Sequence, residues 1–118
     1  PQIPFAVQKA SAALWREETH PLETREWYRK NFRVAEQILH NRFSYYTPGG
    51  GFFLWLDVGD GEEATRKLWS EAHLKVLPGA YACRETNGLN TAHRYIRVAL
   101  VHDEKMTREG MTRLAAVL

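Results

Sequence analysis

The first third of the chain predicts two consecutive helices, the second of them from the spacing of its apolar residues. Residues 5–16, after Pro4, are rich in alanine and other helix formers, which predicts a first helix. A second helix is predicted to run to about Asn41, with Thr19 as its N-cap and Pro21 in its first turn. Its apolar face is formed by residues spaced four, three and four apart, with one neighbour that widens the stripe: Tyr28, Phe32, Ala35, Leu39 and Ile38.

Short apolar runs in the rest of the chain are typical of strands. Four of them predict strands, over residues 43–47, 52–58, 75–77 and 95–101. The run 52–58 is apolar at nearly every position. We therefore expect it to be buried on both faces, or on one face with a second domain covering the other. Residues 48–51, Pro-Gly-Gly-Gly, precede a strand and not a helix, so they predict a strand-entry turn rather than a phosphate cradle.

Two further helices are predicted, with Asp60 and Asp103 as their N-caps. Their expected apolar faces are formed by Ala64, Leu68 and Ala72 in the first helix, and by Met106, Leu114 and Val117 in the second. Residues 80–94 show no periodicity apart from a turn at Asn87-Gly88, and so long a loop in a small domain is usually functional or mobile. The order of elements predicts an α/β fold, a two-layer sandwich in which a small mixed or antiparallel sheet of three or four strands carries helices mainly on one face.

Composition narrows the class of protein. The 118 residues suit one domain, and 44% hydrophobic and 25% charged residues are ordinary for a globular chain. The net charge of +2 comes without a basic block, and no apolar run approaches the roughly 20 residues that span a bilayer, so we expect neither nucleic acid nor membrane as partner. A single cysteine, Cys83, excludes an internal disulfide and predicts a reducing, cytoplasmic compartment.

Arg97 is the strongest candidate for a functional side chain, because it is the one charge in the apolar run 95–101. A guanidinium in such a strand loses hydration and needs a carboxylate, which its planar fork binds through two parallel hydrogen bonds. Two partners remain open: an acidic side chain such as Asp57, as for most buried arginines, or a bound ligand. Arg84, beside Glu85 in the long loop, is a second candidate, although most loop arginines are solvated.

Other chemistry is not indicated by the sequence. The five histidines lack metal-ligand spacing, and Cys83 has no identifiable activating base, so we predict no metal site and no catalytic residue.

Three segments in order give the chain a family resemblance: residues 50–56 (GGFFLWL), 76–79 (VLPG) and 95–97 (YIR). They resemble the carboxy-terminal small domain of fold-type I, class I/II aminotransferases that depend on pyridoxal phosphate. The resemblance covers nearly the whole chain. It implies that residues 1–118 form this small domain, with residues 1–20 as part of the helix that follows the large domain. More narrowly, the segments 77–81, 84–85, 88–90 and 96–101 look like those of bacterial N-succinyldiaminopimelate aminotransferases, except that Thr91 and Ala92 follow Asn90 where those proteins have Pro-Gly.

The resemblance implies that Arg97 binds the α-carboxylate of an amino acid or keto acid, and that Arg84 reads a second carboxylate or the acyl arm. The parent enzyme would transfer an amino group from a donor such as N-succinyl-LL-2,6-diaminopimelate to 2-oxoglutarate, in lysine biosynthesis, as a homodimer. Pyridoxal phosphate and its lysine would belong to a large domain preceding Pro1, since none of the chain's five lysines matches the family's lysine motif. The chain is therefore expected to be a piece of a longer protein, folded but inactive alone.

Two alternatives remain. The chain is also compatible with the aminotransferase-like effector domain of a MocR-type transcriptional regulator, which binds the cofactor without turnover, or with a free-standing α/β binding module. A DNA-binding winged helix upstream would favour the regulator, and a natural reading frame starting near Pro1 would favour the module.

Overall fold

The computed structural model describes residues 2–118 and has four α-helices and one three-stranded sheet in that part of the chain. The elements are α1 (Phe5–Leu14), α2 (Thr19–Leu39), β1 (Phe53–Asp57), α3 (Gly61–Ala72), β2 (Leu77–Pro78), β3 (Tyr95–Ala99) and α4 (Glu104–Val117). A short 3₁₀ helix, Gly79–Ala82, follows β2. The predicted two-layer α/β fold is confirmed, with a purely antiparallel sheet and helices on one side.

The sheet has the order β1-β3-β2, so β3 is its central strand. Successive residues of a strand point to opposite faces. In β1 and β3 every second residue is buried, namely Leu54, Leu56, Ile96 and Val98, and these four belong to the hydrophobic core with the helices. The residues between them are half-buried or exposed. Packing against the helices therefore uses only one face of the sheet.

Helices α2, α3 and α4 supply the other layer of the core. The predicted apolar stripe of α2 is confirmed, because Phe32, Ala35 and Leu39 are buried and Tyr28 and Ile38 pack against them. In α3 the predicted residues Ala64, Leu68 and Ala72 are all buried. Helix α1 has no buried residue, and residues 15–18 separate it from α2.

The last helix uses a different methionine from the one that the sequence predicts. Leu114 is buried and Val117 packs against the core as expected, but Met106 is 53% exposed and Met111 is buried instead. Thr107, Met111 and Leu114 form the buried face of α4, whereas Met106 lies at the edge of that face in the first turn, where its side chain is exposed.

The predicted N-caps are confirmed for α3 and α4 and wrong for α2. Asp60 accepts backbone hydrogen bonds from Glu62 and Glu63, and Asp103 accepts one from Met106 at 2.8 Å. At the start of α2, by contrast, Thr19 is already helical. The Glu17 carboxylate hydrogen-bonds with the His20 ring and accepts from the N–H groups of Thr19 and His20. The bond with the His20 side chain is the main reason why the pKa of Glu17 is lowered to about 2, and the backbone N–H groups add to it.

The strand predicted over residues 43–47 is absent. Phe43 and Ser44 have φ angles of 53° and 51°, which belong to the left-handed region and not to a strand. The segment instead forms turns, in which the Phe43 carbonyl accepts a hydrogen bond from the Asp57 N–H. The strand predicted over 75–77 is shifted to Leu77–Pro78, and the glycine stretch is a bend before β1, with Gly51 at φ 87°.

Candidate functional site

One face of the sheet lies away from the helices, and we call it the open face. It consists of the strand residues that alternate with the core positions: Phe53, Trp55, Asp57, Leu77, Tyr95, Arg97 and Ala99. All but Ala99 are half-buried, and Ala99 is exposed. The expectation that β1 is buried on both faces within this chain is therefore wrong, because its second face is only half-covered. Whether a second domain covers that face stays a prediction.

Arg97 lies at the centre of the open face. In the register of the sheet it stands opposite Trp55 on one side and Leu77 on the other. Within residues 2–118 its guanidinium makes no ion pair with a carboxylate, and its Cζ lies 4.4 Å from the centre of the Phe53 ring. Ring attraction acts on the positive charge and leaves the N–H donors available. The site thus presents a half-buried cation with its donor fork unused.

Asp57, the acidic partner considered for Arg97, pairs with Arg94 instead. Arg94 Nη2 lies 3.0 Å from Asp57 Oδ1, and its Nε donates to Oδ2 at 3.2 Å. The hydrogen bond from Arg94 is the main reason why the pKa of Asp57 is lowered, and the Gly59 N–H adds to it while burial opposes it. Both carboxylate oxygens of Asp57 are therefore occupied by groups other than Arg97.

The 3₁₀ helix after β2 lies close to the open face and to the long loop. Gly79 is buried, and a Cβ at this position would lie 2.4 Å from the Ala92 carbonyl oxygen and 3.0 Å from the Trp55 ring. Only glycine permits that approach. Gly61 is in the same situation, because a Cβ there would lie 2.1 Å from the carbonyl oxygen of Tyr95.

The long loop is ordered by hydrogen bonds that the sequence gives no means to foresee. Asn90 Nδ2 donates to the Ala80 carbonyl at 3.0 Å, and its Oδ1 accepts from the Ala92 N–H at 3.1 Å. The predicted turn at Asn87-Gly88 is confirmed: both residues have positive φ angles, and Thr86 and Leu89 exchange two backbone hydrogen bonds around them.

Arg84 follows the 3₁₀ helix and is exposed. The described part of the chain offers it neither a hydrogen bond nor an ion pair, and no such bond links it to Arg97. The structure therefore places Arg84 on the surface of the long loop, and its role stays a prediction.

Pyridoxal phosphate requires a lysine for its Schiff base. The open face contains no lysine, and the chain's five lysines are exposed: Lys9, Lys30, Lys67, Lys75 and Lys105. Lys67 donates to the Val117 carbonyl at the end of α4, and Lys9 lies over the Phe5 ring of its own helix. The residues present do not fit a cofactor site, and we assign none of them to cofactor binding.

Residues 2–118 also bear on two other classes of site, one for a metal ion and one for a membrane. Histidine, cysteine, aspartate and glutamate side chains do not come together there in groups of three that could hold a metal ion. In the same part of the chain, no helix is both long enough and apolar enough to cross a membrane.

Comparison with known proteins relates the fold to aminotransferases. No family model and no curated protein matches the chain. Among solved structures, an aminotransferase from Neisseria meningitidis aligns over 93% of this chain with a TM-score of 0.86 and 34% sequence identity. The α-aminoadipate aminotransferase of Thermus thermophilus, solved with N-(5'-phosphopyridoxyl)-L-leucine, aligns over 90% (TM-score 0.70, 21% identity), and an aromatic aminotransferase of Pyrococcus horikoshii over 81% (0.65, 20%).

The chain spans only about a quarter of each of these structures, 28%, 26% and 28% of the Neisseria, Pyrococcus and Thermus chains respectively. The two more distant structures share the fold alone. The Neisseria aminotransferase adds a sequence likeness across nearly the whole chain. The 118 residues are therefore similar, in fold and in sequence, to one segment of an aminotransferase.

Proposed function

We propose that this chain is the substrate-carboxylate-binding small domain of a pyridoxal-phosphate-dependent aminotransferase, and that Arg97 binds the α-carboxylate. The observation that carries the proposal is the state of Arg97: half-buried, central on the open face and without an acidic partner among the described residues. The likeness to the Neisseria aminotransferase supports the reaction class. A half-buried cation without a counter-ion is costly in a fold, and a substrate carboxylate would supply the missing partner.

The guanidinium would fix the substrate in space. Two parallel N–H···O bonds define the position and the plane of the carboxylate, so the remaining bonds at the substrate α-carbon take a fixed direction. Trp55 and Leu77 stand on either side of Arg97 in the register of the sheet, and their side chains would exclude water from the flanks of the bond. Removal of water strengthens such a charge-assisted pair relative to the same pair in solution.

Groups outside residues 2–118 would complete the active site. Pyridoxal phosphate, when bound, supplies the electron sink on which amino-group exchange depends. In the proposal this cofactor, its lysine and its phosphate cradle belong to a large domain that also covers the open face. The contribution of this chain is to bind and orient the carboxylate and to exclude water around it.

The finer assignments are proposals that rest on the family resemblance. The acceptor is 2-oxoglutarate, and the donor is an acyl amino acid such as N-succinyl-LL-2,6-diaminopimelate, with Arg84 reading its second carboxylate or acyl arm. The exposure of Arg84 is compatible with that role, because its donors are available. We further propose that the complete enzyme is a cytoplasmic homodimer that acts in lysine biosynthesis.

Kinetics of Arg97 variants in the complete protein test the proposal. Arg97→Ala should raise the KM for 2-oxoglutarate roughly 100-fold, because it removes two charge-assisted hydrogen bonds. Arg97→Lys keeps the charge without the fork and should fall between that variant and the wild type. Arg66→Lys is the matched control, since Arg66 is an exposed arginine of α3 away from the open face, and it should leave the KM unchanged. Equal KM values in the wild-type and Arg97→Ala proteins would remove Arg97 from the site.

A further inference from the structure

A row of aromatic rings connects α2 to Arg97. The Tyr28 ring stacks on Phe52 with centroids 5.4 Å apart and planes 23° from parallel. Phe52 lies 4.1 Å from Phe53, centre to centre, and the Arg97 Cζ lies 4.4 Å from the centre of Phe53. Tyr28 packs against the hydrophobic core, so the row is anchored at its far end.

We propose that Phe53 is a positioning residue that orients the Arg97 guanidinium for the substrate carboxylate; this inference rests on the proposed function. Arg97 makes neither an ion pair nor a hydrogen bond through its side chain among residues 2–118, so the Phe53 ring is the contact that holds its charged end. An acidic residue would orient the guanidinium equally well, but it would occupy the same N–H donors that the substrate needs. An aromatic face attracts the cation without taking those donors.

The position of the Phe53 ring is itself constrained. Phe52 contacts one side of the Phe53 ring, and Tyr28 stacks on Phe52. The Phe53 ring therefore cannot rotate away from Phe52 without losing this contact. A long, flexible arginine side chain loses rotamer entropy when it is fixed. A ring that fixes it before the substrate arrives removes part of that cost from binding.

Replacement of the ring separates positioning from simple packing. In the complete protein, with 2-oxoglutarate as acceptor, Phe53→Leu should lower kcat/KM roughly tenfold, because it keeps an apolar side chain but loses the ring face. Phe53→Tyr keeps the face and should stay within about twofold of the wild type. Phe43→Leu is the matched control, since Phe43 makes the same kind of contact to Arg42, 4.7 Å from Cζ to centroid, away from the open face. It should leave kcat/KM unchanged.

The decisive readout is whether the effect depends on Arg97. In an Arg97→Ala background, Phe53→Leu should cause no further loss of kcat/KM, because there is no guanidinium left to orient. Equal losses in both backgrounds, or wild-type kinetics for Phe53→Leu, would overturn the inference. If Phe53→Leu does not fold, Phe53→Met takes its place with the same expectation.

The same set of variants separates this inference from the proposed function. A large loss in Arg97→Ala with none in Phe53→Leu leaves the function standing and overturns only the positioning role. Unchanged kinetics in Arg97→Ala, measured with Phe53 intact, overturn both.

Discussion

Asp57 binds Arg94 and not Arg97, although Asp57 and Arg97 both belong to the open face of the sheet. The Arg94 guanidinium reaches both carboxylate oxygens, at 3.0 and 3.2 Å. A carboxylate whose two oxygens already accept hydrogen bonds from one guanidinium binds a second guanidinium poorly. This pairing is what leaves Arg97 available for a ligand.

The Asp57–Arg94 pair predicts a pH dependence of stability. The pKa of Asp57 is lowered in the fold, chiefly by the hydrogen bond from Arg94. The Asp57 carboxylate therefore stabilises the fold fully at a pH above its ordinary pKa of 3.8. This stabilisation is lost as the pH falls through the lower pKa that Asp57 has in the fold. Urea unfolding should be measured at pH 7 and at pH 3 for both proteins. The free energy of unfolding should fall less between pH 7 and pH 3 in Asp57→Asn than in the wild type. Identical losses would mean that the pair does not stabilise the fold.

Gly79 should tolerate no side chain. Gly79→Ala would place a Cβ 2.4 Å from the Ala92 carbonyl oxygen and 3.0 Å from the Trp55 ring, so the backbone must shift. We expect a loss of about 2 kcal/mol in the free energy of unfolding. Gly50→Ala is the control, because a Cβ there meets nothing within 4 Å, and it should change stability by less than about 0.5 kcal/mol. Equal stability of the two variants would contradict the close approach of the 3₁₀ helix to the loop.

Asn31 is a buried polar residue whose removal should be costly. It is 1% exposed, and its Nδ2 donates to the carbonyls of Leu100 at 2.9 Å and His102 at 2.7 Å, which joins α2 to the chain between β3 and α4. Asn31→Ala leaves the Leu100 carbonyl buried without this donor. Denaturant unfolding should show a loss of about 2 kcal/mol. Gln37→Ala, at an exposed position of α2, should lose far less, and equal losses would contradict this assignment.

Much of the fold was predictable because local rules decide it. The caps Asp60 and Asp103 and the stripes of α2 and α3 follow from side-chain chemistry and helical spacing within a few residues. The strand predicted over 43–47 failed because its β-rich composition does not reveal the left-handed backbone at Phe43 and Ser44. Tertiary context overrode the local preference there.

The candidate site was predictable only in part. Arg97 is visible in the sequence as a lone charge in an apolar run. The sequence does not show whether its partner is Asp57 or a ligand, because the pairing of β1 with β3 is what brings Arg94 to Asp57. The contact with Phe53 was missed for the same reason. The sequence gives no signal that a phenylalanine of one apolar strand lies against a guanidinium of the neighbouring strand.

The isolated 118-residue chain is expected to fold but not to act on its own. All five of its lysines are exposed and none lies on the open face, so no lysine is placed to bind pyridoxal phosphate tightly. Mixing the purified chain with the cofactor should give no stable imine absorbance and no amino-group transfer to 2-oxoglutarate. A stable imine band accompanied by turnover would contradict the assignment of the cofactor site to another domain.

The central claim is that the Arg97 fork binds the substrate α-carboxylate, and a double-mutant cycle between protein and ligand tests it most directly. The best amino donor found for the complete protein would be compared with its amine analogue, which lacks the α-carboxylate, in the wild-type and Arg97→Ala proteins. We predict that the wild type binds the donor roughly 100-fold more tightly than the analogue, and that this preference nearly disappears in Arg97→Ala. An equal preference in both proteins would show that the carboxylate is bound elsewhere.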